Sequence, residues 1–240
     1  MADIVFEQVT CRYPGTATPA VSELDLAIAN GELLVVCGAA ESGKSTLLRL
    51  LAGLVPVTSG RIMVGGHELT DDQTPAMSLV FQNYSLYPNL TVAQNIGVPL
   101  ARQGLAKKEV ARRAAEAAEA LDLGDVLSRS GGEMSAGQRI RVALARGLVR
   151  EPAALLMDEP LANLEPGIRA EVAQLLIDAQ RRHGITTIYA SSDPEEALGL
   201  GDRVALLENG VLQEVVAAQD LAEASPGQRV ARPASERPGQ

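Results

Sequence analysis

Tryptophan is absent from this 240-residue chain, and aromatic residues make up only 2% of it. A packed interior must therefore be built from Leu, Val, Ile and Ala, and the 46% hydrophobic fraction is enough for one. Basic residues are also outnumbered: Lys and Arg total 21 against 30 Asp and Glu, a net charge of −9. An acidic surface repels a phosphate backbone, which argues against general nucleic-acid binding. The two cysteines, Cys11 and Cys37, form neither a disulfide framework nor a zinc motif and suit a reducing compartment. Cys37 lies in an apolar run and reads as a small buried hydrophobe. No apolar run reaches the roughly 18 residues that span a bilayer. The N-terminus, MADIVFEQVT, has no basic stretch followed by an apolar one, so it is not read as a signal peptide. Any membrane role is expected to come through a partner.

Residues 3–10 and 21–29 alternate enough to predict antiparallel strands. ELLVVC at 32–37, AALLM at 153–157 and ITTIYA at 185–190 are continuous apolar runs, the pattern of strands buried on both faces of a parallel sheet. Residues 76–81 predict a further strand; 105–122, 136–149, 165–183 and 194–200 predict helices. Strands alternating with helices give an α/β core. The stretch 86–150 lacks strand signals and reads as a helical lobe inserted into that core. The tail 225–240 is rich in Pro, Gly and charge and is expected to be disordered.

Residues 38–45, GAAESGKS, match G-x-x-x-x-G-K-[ST] between a buried strand and a helix. Glycines let successive N–H groups of Gly38, Ala39, Ala40, Glu41, Ser42 and Gly43 turn inward onto phosphate oxygens, and the helix dipole at Lys44, Ser45 and Thr46 adds to them. Lys44 is placed to reach the β- and γ-phosphates and Ser45 to bind Mg²⁺. The strand LLMDE ends on Asp158, a candidate Mg²⁺ residue, and Glu159, a candidate general base.

The stretch MSAGQRIRVALARGLVREPAALLMDEPLANLEP resembles the signature motif, signature helix and strand of the ABC ATPases. The resemblance spans roughly residues 3–215 and implies a P-loop NTPase (RecA-like) core with an antiparallel β subdomain and an inserted helical signature subdomain. It further implies that Tyr13 stacks on adenine and that Gln82 links the Mg²⁺ site to the transport domain. Ser135, Ala136, Gly137 and Gln138 would cap ATP on a second ATP-binding subunit, homo- or heterodimeric. Transmembrane permease subunits would be partners, with the chain peripheral on the cytoplasmic face of the membrane. FQNYSLYPNLTVAQNI looks most like the subfamily that imports sugars and related solutes, here expected to lack that subfamily's C-terminal regulatory domain.

Four positions depart from the family pattern. Glu41 stands where glycine is usual, Ala136 replaces the first signature glycine, and Glu165 replaces an interface Asp. Ser192 takes the place of the switch histidine and is too short to reach a γ-phosphate directly. His183 reads as a solvated helix-end residue rather than a substitute. These departures leave two readings open: a transport ATPase whose own site hydrolyses slowly, and a nucleotide-binding regulatory subunit with little or no hydrolysis of its own.

Overall fold

The computed structural model describes residues 2–70 and 76–223. The segment 225–240, expected to be disordered, lies outside the described residues. The chain opens with β1 (Ile4–Cys11) and β2 (Val21–Ile28), paired antiparallel with Ile4 opposite Ile28. In β2 the buried positions Leu24, Leu26 and Ile28 recur every second residue, the pattern of a sheet with one wet face. Next comes β3 (Leu33–Cys37), buried at every residue, and after the glycine-bearing loop α1 (Lys44–Leu51). Then follow β4 (Ser59–Val64), β5 (His67–Glu68) and β6 (Met77–Val80).

Three helices come next: α2 (Val92–Arg102), α3 (Lys107–Glu119) and α4 (Ala136–Leu148). They pack on one another between β6 and β7 (Ala154–Asp158), which is where the inserted helical lobe is expected. The chain continues through α5 (Pro166–His183), β8 (Thr186–Ser191), α6 (Pro194–Leu200), β9 (Arg203–Glu208), β10 (Val211–Ala217) and α7 (Ala218–Glu223).

Two sheets form among the described residues. One is antiparallel, in the order β2-β1-β4-β5; the other runs β10-β9-β3-β8-β7-β6 and is parallel except at β10. Successive side chains of its strands enter different cores, as the two-residue period requires. Leu33, Val35 and Cys37 of β3, with Leu155 and Met157 of β7, join the cluster built by α4, α5 and α6. Leu34 and Val36, with Ala154 and Leu156, join the cluster formed by α1 and the antiparallel sheet. The aliphatic interior demanded by the scarcity of aromatics is thus split by the parallel sheet into two layers.

β4, β5, β9 and β10 go beyond the strands assigned from sequence. β9 and β10 form a hairpin whose Asn209-Gly210 turn has both residues at positive φ, 50° and 80°. Asn-Gly is the usual pair for such a turn, so a local signal was present. Strand β10 is mostly half-exposed, which weakens its periodic pattern.

Candidate nucleotide-binding site

Sheet register brings the candidate residues together. Cys37 at the end of β3 pairs with Ser191 at the end of β8, and Asp158 at the end of β7 pairs with Ala190. Three neighbouring parallel strands therefore finish in line. Their loops open on one edge, the usual ligand edge of an open α/β sheet, and carry the phosphate loop, Ser192 and Glu159.

The phosphate loop is fixed by close packing. A Cβ at Gly38 would lie 2.2 Å from the Leu207 carbonyl oxygen, and one at Gly43, whose φ is 105°, would lie 2.4 Å from that of Ala20. Both positions therefore require glycine. Gly210, in the β9–β10 turn, donates its N–H to the Ser42 carbonyl at 2.9 Å and braces the loop from outside. Lys44 is buried; its Nζ donates to the carbonyls of Gly38 and Ala39 at 2.8 Å each and lies 3.4 Å from Glu159 Oε1. The Ser42 hydroxyl is buried and has no hydrogen-bond partner among the described residues. An orphaned donor, a buried ammonium and a glycine-walled loop suit a triphosphate.

Ser45 Oγ donates to Asp158 Oδ1 at 2.9 Å. Among the described residues no cluster of His, Cys, Asp or Glu makes an all-protein metal cage. A hydroxyl beside one carboxylate is the donor set that Mg²⁺ uses when phosphate oxygens and water complete its shell. The residues present thus fit both groups named from sequence, ATP and Mg²⁺. Glu159 follows directly, with φ 46° and its N–H donated to the Ala190 carbonyl at 3.1 Å. Its carboxylate is half-buried beside Lys44, in reach of water at the loop mouth.

Ala39, Ala40 and Glu41 are exposed on the loop. Glu41 adopts φ 63°, so the non-glycine residue occupies the left-handed region. Its exposure to solvent weakens the repulsion that its carboxylate would exert on a triphosphate. Glu41→Gly is expected to raise stability by up to about 1 kcal/mol, the left-handed penalty less the added chain entropy of glycine. Urea unfolding measures it; a loss of stability would mean that Glu41 makes a contact worth more than its strain.

Ser192 is exposed and lines a small cavity of about 200 Å³ with Glu159, Ala162, Arg169, Ser191, Asp193 and Glu196. Hydrogen bonds hold its turn rigidly. Ser191 Oγ donates to Glu196 Oε1 at 3.1 Å and accepts from the Asp193 N–H at 3.0 Å. Asp193 caps α6 through the N–H of Glu195, and Tyr189 donates its hydroxyl to Glu196 Oε1 at 2.6 Å. Burial, reinforced by the Glu196 carboxylate, pushes the Tyr189 phenol upward and keeps it a donor. His183 lines a different cavity, with Arg112 and Arg182, and does not reach this turn.

Ser135 is the N-cap of α4, accepting the Gln138 N–H at 3.2 Å, while Gln138 Oε1 accepts the Ser135 N–H at 3.1 Å. This capping box gives Gln138 a structural task that its assignment as an ATP contact passed over. Ala136 and Gly137 open the helix, and a Cβ on Gly137 would meet Ile168 at 3.0 Å. Tyr13 places its hydroxyl 3.3 Å from that of Thr46, beside the phosphate loop. Gln82 is exposed just after β6, and Glu165 is the exposed N-cap of α5. Gly210 and Arg169 escaped the sequence reading. Arg169 pairs with Asp193 at 3.5 Å and donates to the Leu164 carbonyl, joining the 163–165 loop to the Ser192 turn.

Comparison with known proteins agrees with this geometry. The family model described as ABC transporter matches residues 21–162. The chain is 46% identical over 217 residues to the diacetylchitobiose uptake system ATP-binding protein MsiK of Streptomyces coelicolor, covering 90% of this chain and 57% of that protein. It is 41% identical over 226 residues to the trehalose import ATP-binding protein SugC of Mycobacterium tuberculosis, covering 93% and 57%. The chain thus spans a little over half the length of these curated relatives. Among solved structures, cbiO1 from Clostridium perfringens, part of the ABC transporter complex cbiONQ, superposes with a TM-score of 0.84 at 26% identity, covering 92% of this chain and 90% of that one. A dimeric ATP-binding cassette in a post-hydrolysis state bound to ADP and Pi superposes with a TM-score of 0.79 at 27% identity, covering 90% and 98%. Sequence, fold and the residues gathered at the strand ends converge: the chain belongs to the ABC transporter family, with the P-loop ATPase fold of its ATP-binding cassettes.

Proposed function

We propose that this chain is an ATP-binding and ATP-hydrolysing subunit that powers import of a sugar or related solute through transmembrane permease partners, from the cytoplasmic face of the membrane. The observation that carries the reading is the single edge on which Lys44, Ser45, Asp158 and Glu159 meet, Ser45 touching Asp158 at 2.9 Å and Lys44 facing Glu159 at 3.4 Å. Similarity to two import ATP-binding proteins favours the direction and the solute class. We read residues 1–224 as one ATPase unit, with core 1–85 and 151–224 around the helical lobe 86–150.

In this reading the loop amides and Lys44 hold the triphosphate, and Tyr13 packs by the base. Ser45, Asp158 and Gln82 would hold Mg²⁺, which neutralises charge on the β- and γ-oxygens when bound. Glu159 takes the proton of the attacking water. Ser135, Ala136, Gly137 and Gln138 serve the site of a second ATP-binding subunit through the N-terminus of α4. Phe81 and Tyr87 are exposed aromatics flanking the loop that begins at Gln82 and offer an apolar patch to the permease. The acidic net charge does not suit a nucleic-acid partner.

Ser192 adds a refinement: the site on this chain's own phosphate loop turns over slowly, and the chain works best as half of a heterodimer, lending its signature to a competent partner. The same residue favours the second reading, a regulatory subunit that binds nucleotide without hydrolysing it. Proteoliposomes holding the chain with the permease pair of a trehalose importer, and a partner ATP-binding subunit, separate the readings. ATP-dependent uptake that needs this chain's Ser135 supports transport duty. Uptake indifferent to Ser135→Arg leaves only the regulatory role.

A further inference from the structure

Tyr84 and Ser85, in the loop after Gln82, both sit at left-handed angles, φ 61° and 44°, which side-chain-bearing residues disfavour. Arg146, near the C-terminal end of α4, holds this turn. Its Nη2 donates to the Tyr84 carbonyl and its Nη1 to the Ser85 carbonyl, each at 2.7 Å. A planar guanidinium fork matches two successive carbonyls in a way that an ammonium cannot. The Tyr84 ring is buried in the cluster that holds Val80, Leu161 and Leu164, and its hydroxyl donates to the Pro160 carbonyl at 3.1 Å. Pro160 is the residue after Glu159, which is itself at positive φ. The chain of contacts is therefore continuous, from the signature helix through the loop backbone and the tyrosine to the carbonyl of the residue that follows Glu159.

We propose that Arg146 and Tyr84 are positioning residues forming a strut, by which displacement of α4 or of the Gln82 loop is transmitted to Glu159. The inference rests on the ATP-hydrolysing reading. It adds a route by which the two ends of the cassette regulate one carboxylate. The α4 end bears the signature residues Ser135–Gln138, and the loop end bears the exposed aromatics Phe81 and Tyr87. The ring of Tyr84 is enclosed by packed apolar side chains, so a shift of its backbone is not absorbed by a change of rotamer. Burial also pushes the Tyr84 phenol upward, so the hydroxyl stays a donor throughout the working range. Misplacing a reacting group by about 1 Å costs up to about 10²-fold in rate, so a small movement is enough to gate the step.

Tyr84→Phe keeps the ring and removes only the donor. Single-turnover hydrolysis of γ-labelled ATP by the full chain, with Ser192→His added to lift the rate above background, is expected to slow about tenfold, with the ATP Kd changed less than about twofold. A purely structural role would move Kd and thermal stability together. Arg146→Gln is expected to act in the same direction, and the double variant to lose no more than the worse single, because both interrupt one strut. If Arg146→Gln does not fold, Tyr84→Phe alone decides through the split between rate and Kd. The strut is overturned if the Ser192→His chain hydrolyses ATP and adding Tyr84→Phe leaves its rate unchanged, or if the two losses multiply. A Ser192→His chain that binds ATP and still never hydrolyses it removes the strut's function together with the ATPase reading, a distinct outcome.

Discussion

Ser192→His is expected to raise ATP turnover by the purified chain about 10²–10³-fold, the usual worth of one donor aimed at charge developing in the transition state. Ser192 lies on the lip of the cavity that Glu159 also lines. Cys37 pairs with Ser191 in the strand register, so the residue after each stands at the same edge of the sheet. The turn needs no rebuilding, because Ser191, Asp193, Glu196 and Tyr189 already fix its backbone and flanks through hydrogen bonds. A pre-oriented imidazole is what the site lacks. Unchanged turnover, with folding and ATP affinity intact, would show that the slow step lies elsewhere, with Ala136 in the signature the next residue to restore.

The second large effect concerns Glu159, the proposed general base. In the chain carrying Ser192→His, Glu159→Gln is expected to lower turnover by about 10²–10⁴-fold, the contribution of a positioned base. ATP binding is expected to survive and to tighten a few-fold. Glu159 Oε1 lies 3.4 Å from Lys44 Nζ, and removing that carboxylate frees the ammonium for phosphate while deleting a repulsive charge beside it. In the wild-type background the same substitution moves turnover less, since the starting rate is already low. Equal activity with and without Glu159 would transfer the role of base to another group, and Glu196 would be the first to examine because it lines the same cavity.

The site's frame was legible in sequence because its signals are local. The runs ELLVVC, AALLM and ITTIYA read as buried strands, and β3 and β8 are buried at every residue. The phosphate loop was recognisable because its glycines answer to a steric demand, as the contacts that a Cβ would make at Gly38 and Gly43 confirm. The parts that escaped lie in long-range contacts. Gly210 braces Ser42 across more than a hundred and sixty residues of chain, and nothing around Gly210 beyond a hairpin signal hints at it. Arg146 looks like one more cation on a helix until the fold brings Tyr84 and Ser85 beneath it. Gln138 has a second task beside the expected one: Ser-x-x-Gln is a local capping signature, overshadowed by the family motif that contains it.

Glu41 and Ser192 also separate two kinds of departure. Glu41 is exposed and tolerates its backbone, so its cost falls on stability. Ser192 lines the same cavity as Glu159, so in the proposed reading its cost falls on rate.

The central claim, a chain that binds Mg-ATP but turns it over slowly on its own phosphate loop, is tested most directly by measuring ATP binding and steady-state hydrolysis on the same purified sample. Saturable Mg-ATP binding with turnover near background is the result expected from a complete phosphate loop beside Ser192. Turnover near about 10 s⁻¹, a median enzyme rate, by the unaccompanied wild-type chain would contradict it and make the chain a self-sufficient, symmetric ATPase.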